Sequence, residues 1–180
     1  MFDETLRVIF SLPEIEPIEA LPPGLDTLFA RLREDAAAAD AWHIEDSIWE
    51  MWTAHADSDA VALMTKAITA IASRHWEEAQ ALLDDLVRAQ PLWPEAWNKR
   101  ATFAFLRGDD ESSARDIRRT LQLEPRHFGA LAGFAQICLR HGEAASALIA
   151  VEAALRIHPH LTPMRILAEE LRRLHPPTVH

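Results

Sequence analysis

The stretch PRHFGALAGFAQICLRHGEAASALIAVEAALRIHP, residues 125–159, decides how this chain is read. It opens and closes on a proline, and Pro91 stands 34 residues before Pro125. The same spacing links Ala67, Ala101 and Ala135, and again Leu63, Trp97 and Leu131. Self-similarity at a fixed period of a few tens of residues marks a stacked array, because one unit cannot bury its apolar face alone. Three copies therefore cover residues 60–159.

Each copy reads as two helices joined by a short turn. The pairs are predicted at 60–73 and 76–89, 94–107 and 110–122, and 128–140 and 143–156. Gly108 and Gly142 stand at the second and third turns, where a left-handed residue commonly stops a helix; Arg74 takes that place in the first. Pro94 suits a first helical turn. Ala79 and Ala147 join the alanine series in letting paired helices approach closely, while larger residues fill the space between pairs. Ser113 replaces the corresponding alanine of the second copy.

Outward from the repeats, a helix over about 163–174 presents Met164, Leu167, Leu171 and Leu174 on one side and Arg165, Glu169, Glu170, Arg172 and Arg173 on the other. Such a polar-backed helix suits the end of an open stack. In front, residues 25–56 read as a helical pair. Leu25, Leu28, Phe29 and Leu32 stripe its first helix, and Ala38, Ala41, Trp42, Ile48, Trp49 and Trp52 share a face of a second helix beginning near residue 37. Three tryptophans on one face read as core. Glu45 falls in the middle of that face, where a carboxylate requires a partner. Residues 1–24 carry Pro13, Pro17, Pro22 and Pro23, which forbid a continuous helix. Leu6, Val8 and Phe10 alternate with other residues, a weak strand signal. This arm is expected to be extended, and to lie on its own domain or on a second copy.

The organisation expected is thus an extended arm (1–24), a degenerate helical pair (25–56), repeats at 60–93, 94–127 and 128–161, and a capping helix (162–175). Residues 1–59 hold 14 of the 28 acids and 3 of the 18 Lys and Arg, a net of −11; the other 121 residues carry 14 acids and 15 bases, a net of +1. A chain of net charge −10 lacks the basic footprint that nucleic acid requires. Cys138 is the only cysteine, so no internal disulfide forms; its apolar setting reads as core. No apolar run approaches a membrane span. The acidic start at Met1 does not read as a secretory signal, so the cytoplasm is expected, with the periplasm the alternative if a leader once preceded this sequence.

The repeat resembles the tetratricopeptide repeat. The last copy carries the likeness best, through Leu131, Phe134, Ala135, Gly142, Ala147, Val151, Ala154, Leu155, Ile157 and Pro159. The middle copy follows with Trp97, Ala101, Gly108, Ile117, Leu121, Leu123 and Pro125, and the first with Leu63, Ala67, Trp76, Ala79, Leu83, Val87 and Pro91. The N-terminal pair and the stretch 124–131 are also similar to uncharacterised bacterial proteins of this class. The resemblance implies an all-α fold, a right-handed α–α superhelix of helical hairpins with an N-terminal extended arm and a C-terminal capping helix. It implies a non-catalytic adaptor that binds protein or peptide in a concave groove lined by the first helix of each pair.

On that implication the groove carries Val61, Met64, Ile68 and Ile71, then Glu95, Asn98, Thr102 and Phe105 with Lys99 at the rim, then Gly129, Ala132, Gly133, Gln136 and Arg140. Its glycines let a ligand backbone approach, and Asn98, Thr102 and Gln136 offer polar partners. The basic and Asn set with which the family clamps acidic chaperone tails is missing at Met64, Ile68 and Gly129. An extended or helical apolar segment fits better; the chain's own arm is one candidate. The alternative function is a structural unit that self-associates through the arm or through the apolar face 61–71.

Lys66 and Arg100 occupy the position that is Phe134 in the last copy. A buried cation demands an anion, so pairs Glu45–Lys66 and Arg100–Asp116 are expected to fix the stack. The nine His are scattered, and His158 and His160 sit in a repeat turn. No phosphate loop, nucleophile elbow or HExxH motif occurs. No catalytic residue, metal or cofactor is expected.

Overall fold

The computed structural model describes residues 2–34 and 39–174. Ten α-helices follow one another along these residues, and no strand forms among them. Helix α1 is Asp3–Ser11, α2 is Leu25–Leu32 and α3 is Ala41–Thr53. The repeats supply α4 (Ser58–Ala72), α5 (Trp76–Ala89), α6 (Pro94–Leu106), α7 (Asp110–Leu123), α8 (Phe128–Arg140) and α9 (Ala144–Ile157). Helix α10, Thr162–Leu174, ends the series. The expected start of α3 near residue 37, and Ala38 on its face, lie outside the described residues.

Three antiparallel pairs, α4–α5, α6–α7 and α8–α9, stack in chain order, with α5 against α6 and α7 against α8. The pairs close on residues without bulk: Ala67, Ala79, Ala101, Ala135 and Ala147 are all buried. Ser113 keeps that close approach because its Oγ donates to the Ala101 carbonyl at 2.8 Å. The turns follow the glycine logic, with φ of 78° at Gly108 and 72° at Gly142. Arg74 adopts φ of 59° without glycine's freedom, which costs about 1 kcal/mol. Helix α10 packs on α9 through Ala168 and Leu171, while Leu174, expected in its apolar stripe, is exposed.

The leader departs from the expected extended arm. Phe2, Thr5, Leu6 and Ile9 recur at helical spacing, and Asp3 and Glu4 complement the helix N-terminus. The alternation at residues 6–10 was too short to outweigh that. The prolines act only from Pro13, where a 3₁₀ turn over Leu12–Glu14 ends the helix. Residues 15–24 then run as an irregular strap, with Ile18 N–H bonded to the Leu123 carbonyl at 3.1 Å. Helix α1 lies in the trough between α7 and α9. Phe2 and Ile9 are buried there, each contributing about 1.5–3 kcal/mol before ordering costs. The arm therefore docks on its own chain.

The α2–α3 pair departs from the expectation of a degenerate leading repeat. It does not cover α4. In the later repeats, one face of the first helix packs on the preceding hairpin and is buried: Ala96 and Phe103 in α6, Ala130 and Ile137 in α8. The matching residues of α4, Ala62 and Thr69, are exposed, as is Lys66 between them. Small and polar side chains there let α4 begin the stack in water. Helices α2 and α3 instead cross the junctions between repeats. The stripe that α3 buries is Ala41, Ile44, Ile48 and Trp52. Trp42, one residue round the wheel, is 59% exposed and not core.

Candidate functional site

One position per repeat sets the chemistry between hairpins. At Phe134 it is apolar, buried on all sides and met edge-on by the Phe2 ring at 5.7 Å. At Arg100 it is ionic. Arg100 donates from Nε and Nη2 to both Asp116 oxygens, at 2.7 and 2.9 Å, and from Nη1 to Asp84 at 2.9 Å. Asp116 is buried and Asp84 lies on the preceding hairpin, so one guanidinium bridges two repeats. Hydrogen bonding to Asp116 raises the Arg100 pKa further against the opposing effect of burial, with Asp84 adding to it. At Lys66 the position is exposed. The expected Glu45–Lys66 pair does not form, because no hairpin precedes α4 and α3 lies elsewhere.

The partner of Glu45 is His158, 113 residues away, whose Nε2 lies 3.1 Å from Glu45 Oε2. His158 is buried, and its Nδ1 accepts the His160 N–H. That leaves the proton on Nε2, which donates to Glu45. The His158 hydrogen bond is the main reason that the Glu45 carboxyl is held below the usual range, against desolvation. The same device occurs at the preceding junction. His127 Nδ1 accepts the Ala130 N–H at 3.1 Å, capping α8, and its Nε2 meets Glu95 Oε2 at 3.2 Å. Both side chains are buried. Burial works to raise the Glu95 pKa, but the hydrogen bond to His127 outweighs it, with Lys99 and Asn98 assisting, and the carboxyl is held below its usual range.

Helix α3 is pinned over these junctions. Trp93 Nε1 donates to the Trp52 carbonyl at 2.8 Å. The Trp52 ring stacks on His127 at 4.0 Å and 6°. Trp49 meets His127 and Phe128 edge-on, each at 5.6 Å. Gly129 makes this approach feasible, since a Cβ there would lie 2.5 Å from the Trp49 ring. The glycine expected to admit a ligand backbone admits the chain's own tryptophan.

The expected groove residues divide accordingly. Met64 is buried among Leu86, Val87 and Trp93, so it packs the hairpins together rather than lining a surface. Asn98 is buried too, donating to Glu95 at 2.8 Å. The wheel placed both on the groove because each shares a stripe with the exposed residue four positions on, Ile68 or Thr102, but the stripe sinks between hairpins one turn earlier. Lys99 is half-buried, 3.3 Å from Glu95. Ile68, Thr102 and Gln136 remain exposed and fall at 34-residue intervals, one per repeat. Arg140 stacks over Phe105 at 3.7 Å and donates to Asp110 at 2.6 Å. Asp110 also meets His141 at 2.9 Å. Glu95, also expected on the groove, is buried against His127 instead, and the pairings of Glu95 with His127, Glu45 with His158 and Asp110 with His141 escaped the sequence reading. The one available signal was a histidine just ahead of or within each later junction. Cys138 is buried, and desolvation pushes its thiol up to about 12.

Comparison with known proteins places this geometry. No protein-family model matches the chain. A TPR repeat-containing protein of Rhizobium etli is 36% identical over 135 residues, 75% of this chain and 66% of that relative's length. The chain is a tetratricopeptide-repeat (TPR) protein. A TPR domain of Sgt2 from Aspergillus fumigatus superposes with a TM-score of 0.59 at 18% identity, covering 66% of this chain and 80% of that one. At that identity the likeness bears on the TPR fold alone. The relative and the fold together support a protein-interaction scaffold in general terms. Among the described residues, no helix is long and apolar enough to cross a membrane.

Proposed function

We propose that this TPR protein is a non-catalytic adaptor that holds a segment of a partner protein along its groove face. The observation that carries the reading is the exposed series Ile68, Thr102 and Gln136, one residue from each repeat on a common line. It mixes apolar contact with hydrogen-bonding capacity, as an extended or helical segment with an apolar stripe requires. Leu106, 58% exposed, and the Phe105–Arg140 stack border it. The other end of the same face is filled by Trp49 and Trp52, so the segment bound is short. Self-association through the arm is the weaker reading, because Phe2, Thr5 and Ile9 are already buried on their own chain.

The test is affinity capture from the native cell with the wild-type chain and with Ile68→Glu/Thr102→Glu/Gln136→Glu. All three positions are exposed, so the variant is expected to fold and to lose partners. Undiminished capture by a folded triple variant would overturn the assignment to this face. Light scattering on the same samples separates a partner complex from self-association.

A further inference from the structure

Helix α1 sits in the trough between α7 and α9, and four positions receive it. Thr5 donates to the Ala114 carbonyl at 3.1 Å, Glu4 pairs with Arg118, and the Phe2 ring lies on Phe134 and His141. One repeat earlier, those four positions are Gln80, Asp84, Arg100 and Arg107. All four line a hollow of about 440 Å³ between α5 and α7. A second hollow, of about 590 Å³, shares Arg100, Arg115 and Asp116 with it and continues to Trp97, Arg119 and the outer side of α1 at Arg7. The two make one open trough beside α1, of the same construction as the trough α1 occupies but with Arg100 where that one has the apolar Phe134 and Arg107 where it has His141.

We propose that this trough docks a short acidic amphipathic helix of a partner protein, lying beside α1 as α1 lies beside α9. The proposal deepens the scaffold reading and rests on it. Its acids are already engaged. Asp84 and Asp116 hold Arg100. Asp109 accepts the Ser112 N–H as the cap of α7, and that bond keeps it ionised. Among the trough's other bases, Arg118 pairs with Glu4 and the rest are freer. Arg7, Arg107 and Arg119 make no ion pair among the described residues, and Arg115 is held weakly, 3.8 Å from Glu111 and 3.5 Å from the Ser112 hydroxyl. The Arg107 and Arg119 guanidiniums lie over the Trp76 and Trp97 rings at 5.3 and 6.0 Å. Cation–π contact holds both flat against the trough.

Three guanidiniums without an ion pair, and a fourth only weakly held, reverse the local field on a chain of net charge −10. An acidic partner is repelled by most of this surface and drawn to one strip of it, which gives orientation as well as attraction. The half-buried rings of Trp76 and Trp97 supply the apolar part of the contact. A helix is the occupant because α1, itself a helix with an acidic first turn, is received by the same four positions one repeat later.

The test uses the full chain and a fluorescein-labelled amphipathic peptide of Glu and Leu, with its Lys-for-Glu counterpart, read by anisotropy. The acidic peptide is expected to bind about tenfold or more tightly than the basic one. Charge reversal at three exposed or half-exposed positions (R107E/R115E/R119E) is expected to weaken it by about tenfold, each surface pair being worth a few-fold. Lys66→Glu, outside the trough, leaves it unchanged. If the triple variant fails a thermal-unfolding check, R107Q/R115Q carries the same test. Equal binding of the two peptides, or of wild type and variant, overturns the proposal. Tighter binding by a peptide of residues 2–12 overturns it in favour of a second copy of this chain. If natural partners survive trough reversal but are lost on the Ile68/Thr102/Gln136 variant, the scaffold reading stands and this one falls.

Discussion

Asp116→Ala is the sharpest probe of how the repeats are held. It removes both oxygens that Arg100 grips, leaving the guanidinium one partner, Asp84. Breaking a buried pair from one side costs about 3–5 kcal/mol, because the remaining charge is stranded. Two features lower that figure. The Arg100 side chain keeps 22% exposure, and Asp84, 39% exposed, still contacts it. A surface pair of that kind is worth about 0.2–1 kcal/mol. The expected loss is about 2–3 kcal/mol, or roughly 5–10 °C in Tm for a chain of this length. The next repeat supplies the control, since Phe134 and Ala150 stand where Arg100 and Asp116 do. Arg100→Phe/Asp116→Ala copies that solution and is expected to recover to within about 1 kcal/mol of wild type, as apolar replacements of buried ion pairs do. Lys66→Met, at the exposed equivalent, is expected to stay within about 0.5 kcal/mol. Thermal and urea unfolding by circular dichroism decides. A single variant that melts within a degree of wild type, or a double variant weaker than the single, refutes the account of the Arg100 bridge.

Other outcomes follow from the same geometry. Glu45, Glu95 and Asp109 all ionise more readily folded than unfolded. Each therefore adds stability above the unfolded carboxyl range, near 4.5 for Glu, and loses it as pH falls through the lower folded values. Urea midpoints from pH 7 to pH 3 should fall, and Glu95→Gln should flatten part of that slope. Phe2→Ala empties the contact with Phe134 and is expected to cost about 2–3 kcal/mol, below the full core figure because α1 is terminal; unchanged denaturant unfolding would contradict the docking. Arg74→Gly relieves the left-handed strain at φ of 59° and should raise stability by about 0.5–1 kcal/mol in the same assay. Native Cys138 should resist an aromatic disulfide reagent at pH 8 and react at once in denaturant, since burial disfavours its thiolate.

The repeat was legible because its signal is local and repeated. Pro91, Pro125 and Pro159 mark junctions, and small residues recur where helices must touch. Arg100 and Asp116 could be paired on paper because both sit within one hairpin. Glu45 and His158 could not, since no wheel relates residues on opposite sides of three repeats. The same limit misplaced Lys66. Its neighbours Ala62 and Thr69 resemble packing residues until one knows that no described hairpin covers that face of α4. Met64 and Asn98 share a helical stripe with the exposed Ile68 and Thr102, and a wheel cannot show that the stripe is covered at one turn and open at the next. Residues 3–11 read poorly because nine residues hold too few periods to separate alternation from helical spacing.

The bridge from α3 to the junctions bears on how the molecule comes to be made. A simple helical array adds each hairpin to the one before it, so synthesis and folding can run in step. Here Trp49 and Trp52 complete their packing against His127 and Phe128, and Glu45 finds its partner in His158. A growing chain must carry these tryptophans incompletely covered until residues 127 and 128 have been added. The hairpins can order one by one as they emerge, but α3 can complete its packing only once α8 and the turn after α9 are present, so its closure comes late in folding rather than first.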